Sequence, residues 1–161
     1  MLLLLLCGAA CSSTTKIEQR DEVGSDGAPA LPRELTTDER AQLEQEIESQ
    51  ASRLPFGMRA RPELWGQALP EGGVLEREFT AVSDHCYAVV SAGGYDVRGI
   101  TLDLVARNQL QTILATDSAV DGAIIGEPDC YWWQAGFDAQ LLARLRVTAG
   151  QGPVAMRLYE L

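Results

Sequence analysis

His85 is the only histidine in this 161-residue chain, and it stands between Asp84 and Cys86. A cysteine and a histidine make a nucleophilic dyad only where the fold brings thiolate and imidazole together. Neighbouring side chains on a strand point to opposite faces. His85 is therefore read as a surface or turn-capping residue rather than a base. One histidine and one paired cysteine do not supply the four spaced ligands that zinc wants. Asp103, Asp117 and Asp121 could offer oxygens to Ca²⁺, but calcium takes six or more, and the glycine and carboxylate spacing of an EF-hand loop is missing. Asp117 and Asp121, which bound Ser118-Ala119-Val120, are read as turn formers. No nucleophile elbow, phosphate loop or His-Glu-x-x-His pattern is present. The expectation is a non-enzyme with no catalytic residue, no metal and no cofactor.

Tyr131-Trp132-Trp133 carries a different chemistry. On a strand Trp132 must point away from Tyr131 and Trp133, so at least one aromatic is expected to face outward. An exposed flat ring can stack on a sugar or anchor a protein contact. Trp132 and Trp133 are thus the candidate ligand contacts. The competing expectation packs one side in the core beside a disulfide and the other under a helix or residues 55–73.

The four cysteines divide into two pairs. Cys7 and Cys11 lie in an apolar leader, while Cys86 and Cys130 lie in the strand-rich half. An even pair in the folded part is disulfide arithmetic for an oxidising compartment; two buried reduced thiols are the alternative. A Cys86–Cys130 bridge would close a loop of about 45 residues, with a chain-entropy ceiling of ~4 kcal/mol.

The leader runs Leu2 to Leu6 and then Cys7-Gly8-Ala9-Ala10-Cys11-Ser12. A short apolar run ending in small residues is a secretory pattern, too short for the roughly 20 apolar residues of a membrane-spanning helix. Ala9-Ala10-Cys11 resembles the lipobox of bacterial lipoproteins, which implies a lipid on Cys11 and a location in the cell envelope. Residues 12–35 are rich in Ser, Thr, Gly, Pro and charge and read as a tether that cannot offset its own ordering entropy. The formal charge of −10 with a single lysine, Lys16, argues against nucleic acid as a partner. It argues equally against adsorption on anionic lipid.

The elements that must position these groups follow from periodicity. Thr36 and Glu39 form a capping box. Leu43, Ile47, Ala51 and Leu54 then fall on one stripe, so a helix is expected over 36–54, ended by Pro55. That helix docks on the domain or, alternatively, recognises a partner. Residues 55–73, with Pro55, Pro62 and Pro70, read as irregular. From Val74 the period changes to two. Leu141, Ala143, Leu145 and Val147 alternate with Arg144 and Arg146, and Ile100, Leu102 and Leu104 with Thr101 and Asp103. Val154, Met156 and Leu158 alternate with Ala155, Arg157 and Tyr159. These are half-buried antiparallel strands. Turn signals at Gly93-Gly94, Arg107-Asn108, Asp121-Gly122, Gly136 and Gly150-Gln151-Gly152 divide them. The expected fold is an all-β antiparallel sandwich or jelly roll of about seven or eight strands.

Cys86-Tyr87-Ala88-Val89-Val90, Val97 to Leu104, Ala115-Thr116-Asp117, Cys130 to Trp133 and Gly150 to Ala155, with Gly66 and Gly72 ahead of them, resemble one family. The layout over residues 64–161 is similar to the bacterial pre-peptidase C-terminal domain, in its two-cysteine, myxobacterial-type variants. That resemblance implies a small β-sandwich serving as a non-catalytic appendage of exported proteins, in secretion or surface binding. The organisation expected is therefore a leader (1–11), a tether (12–35), a helix (36–54) and a sandwich (64–161). The expected role is binding or structural, with the membrane through a lipid and an envelope protein or polysaccharide as partners.

Overall fold

Side-chain alternation decides which way each strand faces, and it does so cleanly here. The computed structural model describes residues 32–107 and 111–161. Its order is α1 (Thr37–Ala51), β1 (Arg59–Leu69), β2 (Val74–Ala81), β3 (His85–Gly93), β4 (Val97–Ala106), β5 (Ile113–Ala119), β6 (Ile124–Ile125), β7 (Tyr131–Trp133), β8 (Ala139–Gly150) and β9 (Gly152–Glu160). The leader, Cys7, the lipidation expected at Cys11 and the tether up to residue 31 lie outside the described residues.

One antiparallel sheet has the order β2-β8-β4-β5; the other runs β1-β9-β3-β6, with β7 also paired to β3. Leu141, Ala143, Leu145 and Val147 of β8 are fully buried between the sheets. They meet Ile100, Leu102 and Leu104 of β4 and Val154, Met156 and Leu158 of β9. The all-β sandwich is therefore present, with nine strands among the described residues in place of seven or eight.

β3 and β9 depart from the half-buried expectation, because both of their faces are covered. Leu43 and Ile47 of α1 pack on the outer face against Ala88, Val90, Ala92, Ala155 and Tyr159. Three alanines there let the helix approach closely. Arg157 of β9 consequently lies beneath α1, only 6% exposed. Its Nη1 donates to Glu48 Oε1 at 2.6 Å, and its Nη2 donates to Glu44. With Leu43 and Ile47 spent in this way, the apolar stripe of α1 is a docking stripe rather than a free recognition surface.

The segment 55–73, expected to be irregular, contains β1. Its prolines mark the boundaries and a bulge rather than a loop: Pro55 and Pro70 flank the strand, and the register shifts between Ala60 and Leu64 around Pro62. β1 is an edge strand, where a missing N–H is tolerated. The sheet therefore starts at Arg59, ahead of residue 64. The last residues of the expected tether also dock, since Arg33 forms a bridge to Ala68 and Leu35 packs against the cluster under α1. At the other end of β8, Gly150 and Gly152 take φ of 78° and 149°. Those values are accessible to glycine and turn the chain straight into β9.

The helix start is as expected. The Thr36 N–H donates to Glu39 Oε2 at 2.8 Å, and the Glu39 N–H donates to Thr36 Oγ1 at 3.3 Å. Arg33 adds a two-pronged pair to the same carboxylate, at 2.8 and 2.6 Å. The Arg33 hydrogen bonds, and then the Thr36 N–H, lower the Glu39 carboxyl from its ordinary 4.5 to about 2. Because the folded value lies below the unfolded one, this stabilisation is complete above about 4.5 and is lost as pH falls towards 2. In Arg33→Gln the Glu39 midpoint, followed by carboxyl ¹³C shifts, is expected to rise towards the ordinary carboxylate value. An unmoved midpoint would assign the shift to the cap alone.

Candidate functional site

The segment that carries the candidate aromatics is short, and covalent chemistry holds it. Cys86 and Cys130 are disulfide-bonded with their Cα atoms 5.6 Å apart, as the cysteine arithmetic anticipates. The bridge delivers the chain to β7, where Tyr131, Trp132 and Trp133 pair with Tyr87, Cys86 and His85 of β3. Alternation then separates the aromatics. Tyr131 and Trp133 pack against the inter-sheet core, and burial raises the Tyr131 phenol pKa above its usual value. Trp132 faces outward with 49% of its surface exposed.

Trp132 and Trp133 therefore lie on opposite faces of β7 and cannot close on one small ligand together. Trp133 has a different companion. Its Nε1–H donates to the Phe137 carbonyl at 2.7 Å, and the Phe137 ring stands edge-on to it with centroids 6.0 Å apart. These rings line a cleft of about 240 Å³ with Ala106, Arg107, Ala139 and Gln140. Arg107 is engaged by Glu78 and Gln140 by Thr80, so the polar rim of the cleft is already bonded. Phe137, 62% exposed, has no place in the periodic reading of the sequence; the only signal for it is an aromatic following Gly136 in a turn.

Phe56, Val82, Ile113, Trp132, Phe137 and Leu161 are all exposed large apolar residues. They share one end of the sandwich: before β1, after β2, at the start of β5, in β7, before β8 and after β9. This aromatic end is the largest concentration of exposed apolar side chains among the described residues.

The other sequence candidates disperse. His85 Nδ1 contacts the Ser83 carbonyl at 3.1 Å, and the Cys86 sulfur is committed to the disulfide, so no dyad forms. Asp103 accepts from Thr116 Oγ1 at 2.7 Å, while Asp117 accepts from the Ile124 N–H at 2.8 Å. In register with Thr116 and Leu102 respectively, these two carboxylates point to opposite faces of their sheet. Among the described residues no group of three or more His, Cys, Asp or Glu side chains is placed to hold a metal ion. No helix among them is long and apolar enough to cross a membrane.

No family model matches the chain, that of the pre-peptidase C-terminal domain included, and no curated protein matches it in sequence. Among solved structures it is similar to one described as "CBM4 structure and function". The match has a TM-score of 0.42 and 11% identity, and covers 63% of this chain and 74% of that one. So distant a likeness bears on neither ligand nor site residues.

Proposed function

We propose that this chain is a non-catalytic binding module of an exported, lipid-tethered envelope protein, and that it contacts a polysaccharide through Trp132. The observation that carries the reading is a tryptophan left 49% exposed on a strand that a disulfide clamps to the sheet. A strand already held in place loses little backbone freedom on binding, and the flat apolar face of the indole suits the C–H face of a pyranose. The disulfide supports an oxidising compartment, and the lipobox-like Ala9-Ala10-Cys11 supports an anchor on Cys11 with residues 12–31 as tether. Trp133 takes part through its cleft with Phe137, on the other side of β7.

The test is electrophoresis through gels containing envelope or plant polysaccharides. Migration is expected to be retarded by at least one polymer. Trp132→Ala should weaken that retardation about tenfold, the loss typical of an aromatic anchor, with thermal unfolding unchanged. No retardation by any polymer would sink the reading. Docking of an envelope protein is the second reading, favoured by the apolar residues that share this end. It predicts that no polymer retards the protein and that Phe56→Ser and Leu161→Ser abolish partner capture.

A further inference from the structure

The end of the sandwich opposite Trp132 carries a groove of a different character. It lies between α1 and the turn joining β3 to β4, occupies about 390 Å³, and is lined by Gln42, Glu46, Tyr95, Arg98, Val120 and Asp121. Tyr95 is 93% exposed and Val120 67% exposed, so an aromatic and an aliphatic side chain rise on its walls. Among the described residues, the side chains of Gln42, Tyr95, Arg98 and Asp121 make no hydrogen bond or ion pair. Six of the eleven arginines among the described residues behave otherwise: Arg33, Arg53, Arg61, Arg107, Arg144 and Arg157 each pair with a glutamate. Arg98 and Asp121 line one groove with their hydrogen-bonding capacity open.

The frame around these groups is rigid. The Val97 N–H donates to the Gly94 carbonyl at 3.0 Å, closing the turn that carries Tyr95. Gly93 N–H donates to the Asp121 carbonyl at 2.7 Å, tying the Val120-Asp121 wall to the same turn. A side chain at position 94 would run into Pro153, which keeps the floor flat and close to backbone.

We infer that this groove is a second saccharide site, taking one pyranose ring of a neutral glycan. Tyr95 stacks on the apolar face of the ring. Arg98 and the Gln42 amide donate to hydroxyl and ring oxygens, and Asp121 and Glu46 accept from hydroxyls. Two carboxylates against one guanidinium, on a chain of net charge −10, repel a polyanion, so uronate polymers are excluded. The inference shares its ligand class with the proposed function but none of its residues.

Titrating ¹⁵N-labelled protein with neutral glucan, mannan and xylan fragments, and separately with an oligogalacturonate, reads both sites at once. Amide shifts are expected at residues 93–98, 120–122 and 42–46 with a neutral fragment and not with the oligogalacturonate. Tyr95→Ala should weaken them about tenfold and Arg98→Gln severalfold, while Trp132→Ala leaves them in place. Both groove substitutions remove side chains with no internal partner, so the fold is kept. Shifts at the Trp132 indole alone would overturn the groove and leave the proposed function standing. Groove shifts without Trp132 shifts would do the reverse. Shifts at neither site would sink both, and a preference for the oligogalacturonate would overturn the neutral ligand.

Discussion

The double variant Cys86→Ala/Cys130→Ala is expected to unfold about 3–4 kcal/mol more easily than the native protein, measured by urea denaturation. The bridge spans a sequence separation of 44 residues, and a closed loop of that size removes about 4 kcal/mol of chain entropy from the unfolded ensemble. Local structure does little to replace it. β7 contributes only three residues to its ladder with β3. A small domain has a modest reserve of buried surface, so this loss is a large part of its stability. The m-value should rise as well, because a reduced chain expands further on unfolding. A loss under about 1 kcal/mol would mean that the unfolded chain is already compact between these positions. Intact mass of protein from a membrane fraction reads the same bond as a gain of two hydrogens on reduction. A species starting at Cys11 and carrying a diacylglyceryl group would establish the anchor in the same spectrum, and an unlipidated species would remove it.

Local rules made much of this fold legible and non-local ones hid the rest. The capping box of Thr36 and Glu39 is a relation between residues three apart, so it can be read without knowing the tertiary structure. The faces of β8 and the outward turn of Trp132 follow from a period of two and nothing else. β1 was hidden because Pro62 signals a break in a central strand but only a bulge at an edge, and edge position belongs to the topology. Arg157 reads as one more solvent-facing residue alternating with Val154, Met156 and Leu158. Its burial requires α1 to lie across β9, a contact about 110 residues away along the chain, as the Glu44 pairing shows. The groove was invisible for the same reason. Tyr95, in a turn, and Arg98, at the start of β4, suggest no site until α1 brings Gln42 and Glu46 alongside.

That helix contact yields the second large effect, and its asymmetry is the informative part. Glu44→Ala/Glu48→Ala is expected to cost about 3 kcal/mol, whereas Arg157→Met should cost less than about 1 kcal/mol. The arginine side chain is 8% exposed, while Glu44 and Glu48 are 47% and 54% exposed. Removing the arginine leaves two carboxylates that water already solvates. Removing the carboxylates strands a buried guanidinium whose Nε, in addition, has no partner. Burial alone would favour its neutral form, but the hydrogen bond and charge of Glu44, with Glu48, raise its pKa. It therefore stays charged, and folding bears the desolvation. The estimate sits at the low end of the 3–5 kcal/mol known for broken buried pairs, because half-exposed partners admit water to the guanidinium edge. In an Arg157→Met background the two alanine substitutions should become nearly neutral, which a double-mutant cycle in urea would show. If they cost the same in both backgrounds, Leu43 and Ile47 alone hold α1 to the sheet. If the cycle closes as expected, loosening α1 should also weaken the groove, because Gln42 and Glu46 form its helical wall. Tyr95-dependent saccharide shifts would then fall in Glu44→Ala/Glu48→Ala while those at Trp132 persist.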